Sequence, residues 1–216
     1  ALQEGLYYAQ DVAAKLSVLC AELPEKEICI RDCCAAPGGK SFAAAIAMNG
    51  QGSITSCDVY AHKIDLIKIG AARLGLENIA AKQQDATAFC PQWEEKMDAV
   101  IADLPCSGLG IIRKKPDIRY KDLSAMAELP ALQKQIVDNA ACYVKLGGLL
   151  LYSTCTLTRA ENEDMVEHFL ADHPDFTTEP LPLPAPFPKN ESGMLALIPG
   201  EYDTDGFFIC RLRRKL

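Results

Sequence analysis

Short apolar runs alternate with amphipathic stretches along most of this chain. The runs predict β-strands at 28–33, 53–57, 79–83, 97–102, 149–153 and 206–212. Apolar residues at helical spacing predict helices at 8–22, 40–48, 61–74, 123–146 and 159–172, with a break in the fourth at Pro130. Every second residue from Pro180 to Pro188 is proline, which predicts an extended connector over 179–189 rather than a central strand. The chain therefore reads as an α/β protein.

Strands that alternate with helices favour a mainly parallel sheet, which binds its ligand at the carboxyl ends of the strands. Polar residues of chemical interest follow the predicted strands: Asp58, Asp85, Asp103, Cys106 and Cys155. Because these strand ends meet at one edge of the sheet, we expect the five side chains to lie close together. Their agreement in position indicates a functional site there.

A glycine-rich turn joins the first strand to the next helix, with the sequence Cys34-Ala35-Ala36-Pro37-Gly38-Gly39-Lys40. It matches neither a Walker A loop nor the G-x-G-x-x-G dinucleotide turn. Two glycines allow close approach of a ligand, and the free amides of the helix start favour an anionic group such as a carboxylate.

Two carboxylates extend this interpretation. Asp58 is placed for ribose hydroxyls and Asp85 for an adenine amino group. A nucleoside that carries an amino-acid carboxylate and no phosphate fits best, which predicts S-adenosylmethionine. The alternative is that each Asp only caps the following helix.

Composition narrows the class of protein. The 216 residues are 49% hydrophobic and 24% charged, and no apolar run is long enough to cross a bilayer, so we expect no membrane partner. None of the 10 cysteines forms a C-x-x-C pair, which argues against a zinc site and favours packing roles in a reducing cytoplasm.

Net charge of −7 argues weakly against a nucleic-acid partner, because phosphate binding needs cations. The run 113–121 is nevertheless strongly basic. Its cations Arg113, Lys114, Lys115 and Arg119 could contact RNA phosphates, although such a loop is more often a solvated surface.

Several motifs together resemble the NOL1/NOP2/Sun family of RNA cytosine-C5 methyltransferases, most closely its bacterial RsmB/Sun type. The resemblance runs from about residue 5 to 213. It rests on the turn with its preceding Asp32 and Cys33, on Asp103-Leu104-Pro105-Cys106-Ser107-Gly108-Leu109-Gly110, on Pro116-Asp117-Ile118, on Tyr152-Ser153-Thr154-Cys155-Thr156-Leu157, on Glu161-Asn162-Glu163, on Asp205-Gly206-Phe207-Phe208 and on Gln10-Asp11.

This resemblance implies a Rossmann-like class I S-adenosylmethionine-dependent fold, with a mostly parallel seven-stranded sheet and helices on both faces. It implies that Cys155 is the nucleophile, that Cys106 assists product release, and that Asp103 binds the cytosine ring edge, with Lys40 beside them. Cys34 then belongs to the cofactor turn and is not a third nucleophile. The implied substrate is 16S rRNA in the cytoplasm.

The resemblance also implies a domain organisation. Residues 1–24 form a helical lead-in and residues 25–216 the methyltransferase domain, which we expect to act as a monomer without a metal. A NusB-like N-terminal domain, which RsmB-type proteins carry, is absent from this sequence.

Two other functions fit part of the pattern. A DNA cytosine-C5 methyltransferase would use the Pro-Cys cysteine, Cys106, as nucleophile, but it would lack the Thr-Cys motif and would need a larger chain. A non-catalytic RNA-binding or ribosome-assembly factor could retain the fold, although intact Asp103, Cys106 and Cys155 argue against it.

Overall fold

The computed structural model describes residues 1–216, apart from the side chains of Leu123 and Ala125. The strands are β1 Cys29–Asp32, β2 Ser53–Asp58, β3 Ile79–Gln83, β4 Met97–Asp103, β5 Val144–Thr154, β6 Phe176–Thr178, β7 Met194–Leu197 and β8 Phe207–Arg214. The helices are α1 Val12–Leu19, α2 Gly39–Ala47, α3 Ala61–Arg73, α4 Leu123–Ala127, α5 Leu129–Tyr143 and α6 Glu163–Asp172.

All the strands belong to one mixed sheet, in the order β3-β2-β1-β4-β5-β8-β6, with β7 also paired to β8. The pairs from β3 to β5 are parallel, and β8 runs antiparallel to β5. β6 pairs with residues 212–214 of β8 and β7 with residues 207–210, so the two short strands lie end to end along one edge. They fill a single seventh position, and the predicted α/β fold is confirmed.

Both faces of the sheet are covered, which explains why its central strands read as continuous apolar runs. On one face Ile30 and Ile54 pack with Leu16 of α1 and Met48, just after α2. On the other face, Val100 and Leu150 join a cluster that includes residues of α5 and α6. The helix α1 thus forms part of the core of the sheet domain.

Three predicted helices end differently in the structure. The N-terminal helix is shorter than 8–22, since Asp11 caps it by accepting a 2.9 Å hydrogen bond from Ala13 N. The helix at 123–146 breaks at Glu128 rather than at Pro130, which lies in the first turn of α5, where proline loses no helical hydrogen bond. Residues 159–161 form a 3₁₀ turn before α6.

Candidate active site

A cavity of about 360 Å³ opens at the carboxyl ends of β1, β2, β4 and β5. Its volume lies in the range of small-ligand sites. The predicted site residues that line it are Cys34, Ala36, Asp58, Asp85, Asp103, Cys106 and Cys155. The parallel register brings them together, because Asp103 pairs with Ser153 at the ends of adjacent strands.

The two cysteines face each other at the wall of this cavity, with Cys106 Sγ 3.3 Å from Cys155 Sγ. Both are half-buried and free. The hydrogen bond with Cys106 lowers the pKa of Cys155 against the opposing effect of burial, and Lys40 contributes to the lowering. The same hydrogen bond, together with burial, raises the pKa of Cys106. Either sulfur can donate to the other, so the contact stabilises one thiolate while its neighbour keeps its proton.

A buried ion pair lies beside the thiols. Lys40 Nζ is 2.7 Å from Asp103 Oδ2, and its ammonium also lies 4.9 Å from the ring centre of Phe207. Ser153 Oγ donates a 2.8 Å hydrogen bond to Asp103 Oδ1, so both carboxylate oxygens are held. Lys40 is only 8% exposed, and it reaches the site through Asp103 rather than by lining the cavity.

The glycine-rich turn is shaped by two close contacts. Gly38 has a φ of +114°, and a Cβ there would lie 2.4 Å from the Phe42 ring. No side chain caps α2, so its first amides remain available to a ligand. A Cβ on Gly39 would lie 3.2 Å from Gln10 Nε2.

The turn is divided between two surfaces. Cys34 and Ala36 line the cavity, while Ala35 is buried against the Phe42 cluster. Pro37 and Gly39 line a separate groove beside Tyr8. Only part of the predicted cofactor turn therefore borders the cavity.

Asp58 and Asp85 each accept hydrogen bonds from one following residue through Oδ1, which leaves Oδ2 of each carboxylate without a hydrogen-bond donor. Asp58 Oδ1 accepts a hydrogen bond from Tyr60 N at 3.1 Å. Asp85 Oδ1 accepts bonds from Thr87 N at 2.9 Å and from Thr87 Oγ1 at 2.7 Å. No described residue donates a hydrogen bond to Oδ2 of either side chain. In each aspartate, Oδ1 therefore stabilises the following turn, while Oδ2 remains a free acceptor at the cavity. Two such acceptors fit a ligand with ribose hydroxyls and an amino group.

Asp32 lies next to the site, in the motif that precedes the glycine-rich turn, and no role was predicted for it from the sequence. It is fully buried at the end of β1; Ser41 Oγ donates a 2.7 Å hydrogen bond to its Oδ2, and its Oδ1 has no partner among the described residues. Burial raises its pKa to about 7, although the hydrogen bond from Ser41 opposes this. In the sequence, only its position directly before the turn indicates that Asp32 lies near the site.

The basic run divides into paired and free cations. Lys114 Nζ lies 2.6 Å from Asp11 Oδ2 and 2.7 Å from Asp205 Oδ2, and Arg113 lies 3.6 Å from Asp205 Oδ1. Arg113 also approaches Asp203 at 3.5 Å. These pairs tie the loop to the start of α1 and to the segment before β8.

Lys115 and Arg119 have no ion pair with any described residue and are exposed. Tyr120 beside them is 89% exposed. The loop therefore presents these three side chains to a partner more openly than Arg113 or Lys114.

None of the described helices is long and apolar enough to span a bilayer. Among the described side chains, no group of three or more His, Cys, Asp or Glu residues could hold a metal ion.

Comparison with known proteins decides the family. Residues 19–213 match the family model described as 16S rRNA methyltransferase RsmB/F. The chain belongs to this family. Its membership confirms the resemblance drawn from the motifs, the Rossmann-like fold and the dependence on S-adenosylmethionine.

Individual relatives of the RsmB/F family agree. The chain is 41% identical over 220 residues to a probable ribosomal RNA small subunit methyltransferase B of Bacillus subtilis, covering 99% of this chain and 49% of the relative. It is 35% identical to ribosomal RNA small subunit methyltransferase F of Shigella dysenteriae, covering 97% of this chain and 45% of the relative. The chain thus spans about half the length of the curated relatives it matches.

A solved structure of NSun6 from Pyrococcus horikoshii with SFG superimposes with a TM-score of 0.88 at 28% identity. The superposition covers 99% of this chain and 54% of that one. The similarity therefore extends over nearly the whole of this chain.

Proposed function

We propose that this chain transfers a methyl group from S-adenosylmethionine to C5 of a cytosine in 16S rRNA, through a covalent bond between Cys155 and C6. The observation that carries the proposal is the 3.3 Å approach of the Cys106 and Cys155 sulfurs at the rim of the cavity. Two thiols in this contact are more than cofactor binding requires. They suit a reaction that needs both a nucleophile and a group to assist its departure.

The cytosine ring must be activated because its C5 is a poor nucleophile. The Cys155 thiolate adds to C6, forming a C–S bond, and the C5=C6 electron pair moves to C5, which takes the methyl group. The bond between that methyl group and the sulfonium sulfur of the donor would break, with its electron pair remaining on that sulfur. A base then removes the C5 proton, the electron pair of that C–H bond re-forms C5=C6, and the C6–S bond breaks with its pair returning to sulfur. A thiolate serves both steps, since it is a strong nucleophile and a competent leaving group.

The cofactor supplies an electrophilic methyl group when bound. Asp58, Asp85 and the amides at the start of α2 would hold it, with Cys34 and Ala36 against it. The free Oδ2 atoms of both carboxylates support this assignment.

Cys106 acts on the departing sulfur. As the neutral partner of the pair it donates its S–H to Cys155, which stabilises the thiolate both before attack and on release. Without that donor the adduct at C6 should persist. This accounts physically for the role in product release that the resemblance implied.

Lys40 and Asp103 form the polar wall of the same site. Asp103 is placed to accept from the cytosine N4 amino group and to hold the intermediate whose ring is protonated at N3. The Lys40 ammonium holds this carboxylate in place and favours the charged form of Cys155. The base must be unpaired or flipped, because C6 is attacked from above the ring.

The rest of the organisation follows from the same proposal. Residues 25–216 form the catalytic domain, and the lead-in 1–24 packs its helix α1 into the core of that domain. The chain acts in the cytoplasm, where rRNA and reduced thiols occur together. We propose further that the chain acts as a monomer without a metal. Light scattering of the purified chain tests the monomer.

Labelled methyl transfer to a 16S rRNA fragment tests the reaction, with Cys155→Ala and Cys106→Ala as the variants. We expect Cys155→Ala to abolish transfer and to form no adduct. Cys106→Ala should trap a covalent protein–RNA species that survives denaturing gel electrophoresis. Product mapping by mass spectrometry should locate the methyl group at cytosine C5.

The reverse pattern, with an adduct in Cys155→Ala, would assign the nucleophile to Cys106, as in a DNA cytosine-C5 methyltransferase. A chain that binds cofactor and RNA but transfers no methyl group would be a non-catalytic assembly factor. The Thr-Cys motif at Cys155, which a DNA cytosine-C5 methyltransferase would lack, favours the first assignment.

A further inference from the structure

A buried carboxylate, that of Glu161, is hydrogen-bonded to residues that follow each of the two cysteines. Glu161 is 3% exposed, and no described cation lies within ion-pair distance of it. A buried glutamate without a counter-charge must be held by hydrogen bonds, because its charge is otherwise costly to desolvate. Its hydrogen-bond donors come from both cysteine loops.

One carboxylate oxygen holds the Cys106 loop. Glu161 Oε2 accepts a 2.9 Å hydrogen bond from Ser107 N, the residue directly after Cys106. It also accepts from Gln133 Nε2 at 2.9 Å, and the same amide nitrogen donates to Pro105 O at 2.9 Å. The residues on both sides of Cys106 are thus fixed through Oε2.

The other oxygen holds the Cys155 loop. Glu161 Oε1 accepts a 2.7 Å hydrogen bond from Thr158 Oγ1 and a longer one, at 3.5 Å, from Thr156 Oγ1. Thr156 Oγ1 in turn lies 2.6 Å from Ser107 Oγ, which joins the two loops directly. The carboxylate therefore spans the loops that carry both sulfurs.

Its hydrogen bonds keep Glu161 ionised. Burial alone would raise the pKa of Glu161, but the bonds from Ser107, Thr158 and Gln133 bring it below the ordinary value. A charged acceptor makes stronger hydrogen bonds than a neutral one, so the loops are held more firmly than an amide would hold them.

We propose that Glu161 is a positioning residue for the reaction, because its two oxygens hold the Cys106 and Cys155 loops at the separation that lets one thiol donate to the other. Glu161 makes no hydrogen bond to either sulfur among the described residues and does not line the cavity. It acts through the loops, and removal of the carboxylate lets the sulfurs separate. This inference rests on the proposed function for its catalytic meaning, but its geometry is tested without methyl transfer.

The test follows the alkylation of Cys155 by iodoacetamide between pH 6 and 10, read by mass spectrometry of its peptide, with exposed Cys29 as an internal reference. In Glu161→Ala we expect Cys155 to react on the order of tenfold more slowly at neutral pH, with its profile displaced to higher pH. The expected size of this rate change follows from the loss of a hydrogen bond to a charged sulfur. Cofactor affinity should persist. Glu163→Ala is the matched control, since it removes a neighbouring carboxylate with no hydrogen bond to either loop among the described residues.

Two further variants guard against a fold defect. Glu161→Gln keeps one acceptor for Ser107 N and can donate to Thr158 Oγ1, so its profile should lie between those of the wild type and Glu161→Ala. Thr158→Val removes a single donor to Oε1 and is expected to slow alkylation less, in the same direction; it is the decisive variant if Glu161→Ala fails to unfold cooperatively. Wild-type alkylation profiles in the folded variants would overturn the proposal. Because alkylation needs no methyl transfer, a chain inactive on RNA would disprove the proposed function while leaving this result readable.

Discussion

The ammonium of Lys40 lies 2.7 Å from Asp103 Oδ2, at the junction between the cofactor turn and the wall that carries the cysteines. Lys40 belongs to the first turn of α2, and Asp103 ends β4, so the contact links the cofactor side of the cavity to the reactive side. The pair also sets the electrostatics of Cys155, because Asp103 raises the pKa of that thiol and Lys40 lowers it. Removal of either charge therefore leaves the other to shift the pKa of Cys155 unopposed.

Replacement of Lys40 by methionine should make Cys155 a weaker nucleophile. Lys40→Met removes the cation and leaves the Asp103 carboxylate to oppose ionisation of the thiol, so we expect the pKa of Cys155 to rise and the alkylation rate at pH 7 to fall on the order of tenfold. The measurement is the pH profile of Cys155 alkylation. Lys40→Arg retains the charge and should stay closer to the wild type; an unchanged profile in Lys40→Met would contradict this account.

Much of the fold follows from the sequence because the pattern is strong where the sheet is buried on both faces. The parallel strands β1 to β5 and the position of the site at their carboxyl ends were predicted from apolar runs that stop at polar residues. β6 and β7 were missed. Each is short, and the proline-rich segment that separates them gives no alternation for a strand pattern to show.

The sequence predicted candidate site residues, but it did not predict their contacts. Lys114 and Arg113 read as free cations, and the structure pairs them with Asp11, Asp203 and Asp205, which lie far away along the chain. Glu161 was part of a quoted motif, but no role was predicted for it. Long-range pairings of this kind depend on the topology of the sheet, which local periodicity does not encode.

The charge on Asp32 predicts a pH dependence of stability. Its pKa is raised to about 7 in the folded chain, mainly by burial, against about 4 when unfolded, so between these values the folded state holds a proton that the unfolded state has lost. Stability must then fall as pH rises through this window, by up to about 1.4 kcal/mol per pH unit from this group.

The Asp32→Asn variant removes that contribution, since a neutral amide can still accept from Ser41 Oγ. Urea unfolding at pH 5, 6, 7 and 8 should show the free energy of unfolding of the variant gaining on that of the wild type as pH rises. A constant difference between the two curves would show that Asp32 does not titrate in this range.

The basic loop should separate into a structural half and an RNA-binding half. Lys114→Ala breaks two ion pairs that are half-exposed, so we expect a loss of about 1 kcal/mol in stability and a looser loop. Lys115→Ala and Arg119→Ala should leave the free energy of unfolding unchanged. Each should instead weaken RNA binding and reduce its salt slope by about 0.7, as for loss of one contact to single-stranded phosphate.

Binding of an rRNA fragment at several KCl concentrations, beside urea unfolding, distinguishes these effects. Cofactor affinity serves as the control, because none of the three cations lines the cavity. Equal RNA affinity in the wild type and in a Lys115→Ala/Arg119→Ala double variant would move the RNA contact to another surface.

A last prediction concerns Gly110, which packs backbone to backbone against the Cys155 loop. Its N–H donates a 3.0 Å hydrogen bond to Cys155 O, and its carbonyl accepts one from Gly206 N at 2.9 Å. A Cβ at this position would lie 2.1 Å from Gly206 O and 2.8 Å from Cys155 O, so Gly110→Ala must push one of these backbones away. We expect a loss of stability of about 1–3 kcal/mol, as for overpacking of a buried site, and a larger loss of methyl transfer than of cofactor affinity. Urea unfolding and isothermal titration with the cofactor measure the two effects.

Gly39→Ala is the comparison, because its Cβ would meet only the end of the Gln10 side chain, which can move aside, and its stability should change little. Equal stability of the two variants would mean that the loop yields at Gly110 without strain, and that Cys155 is not held from this side.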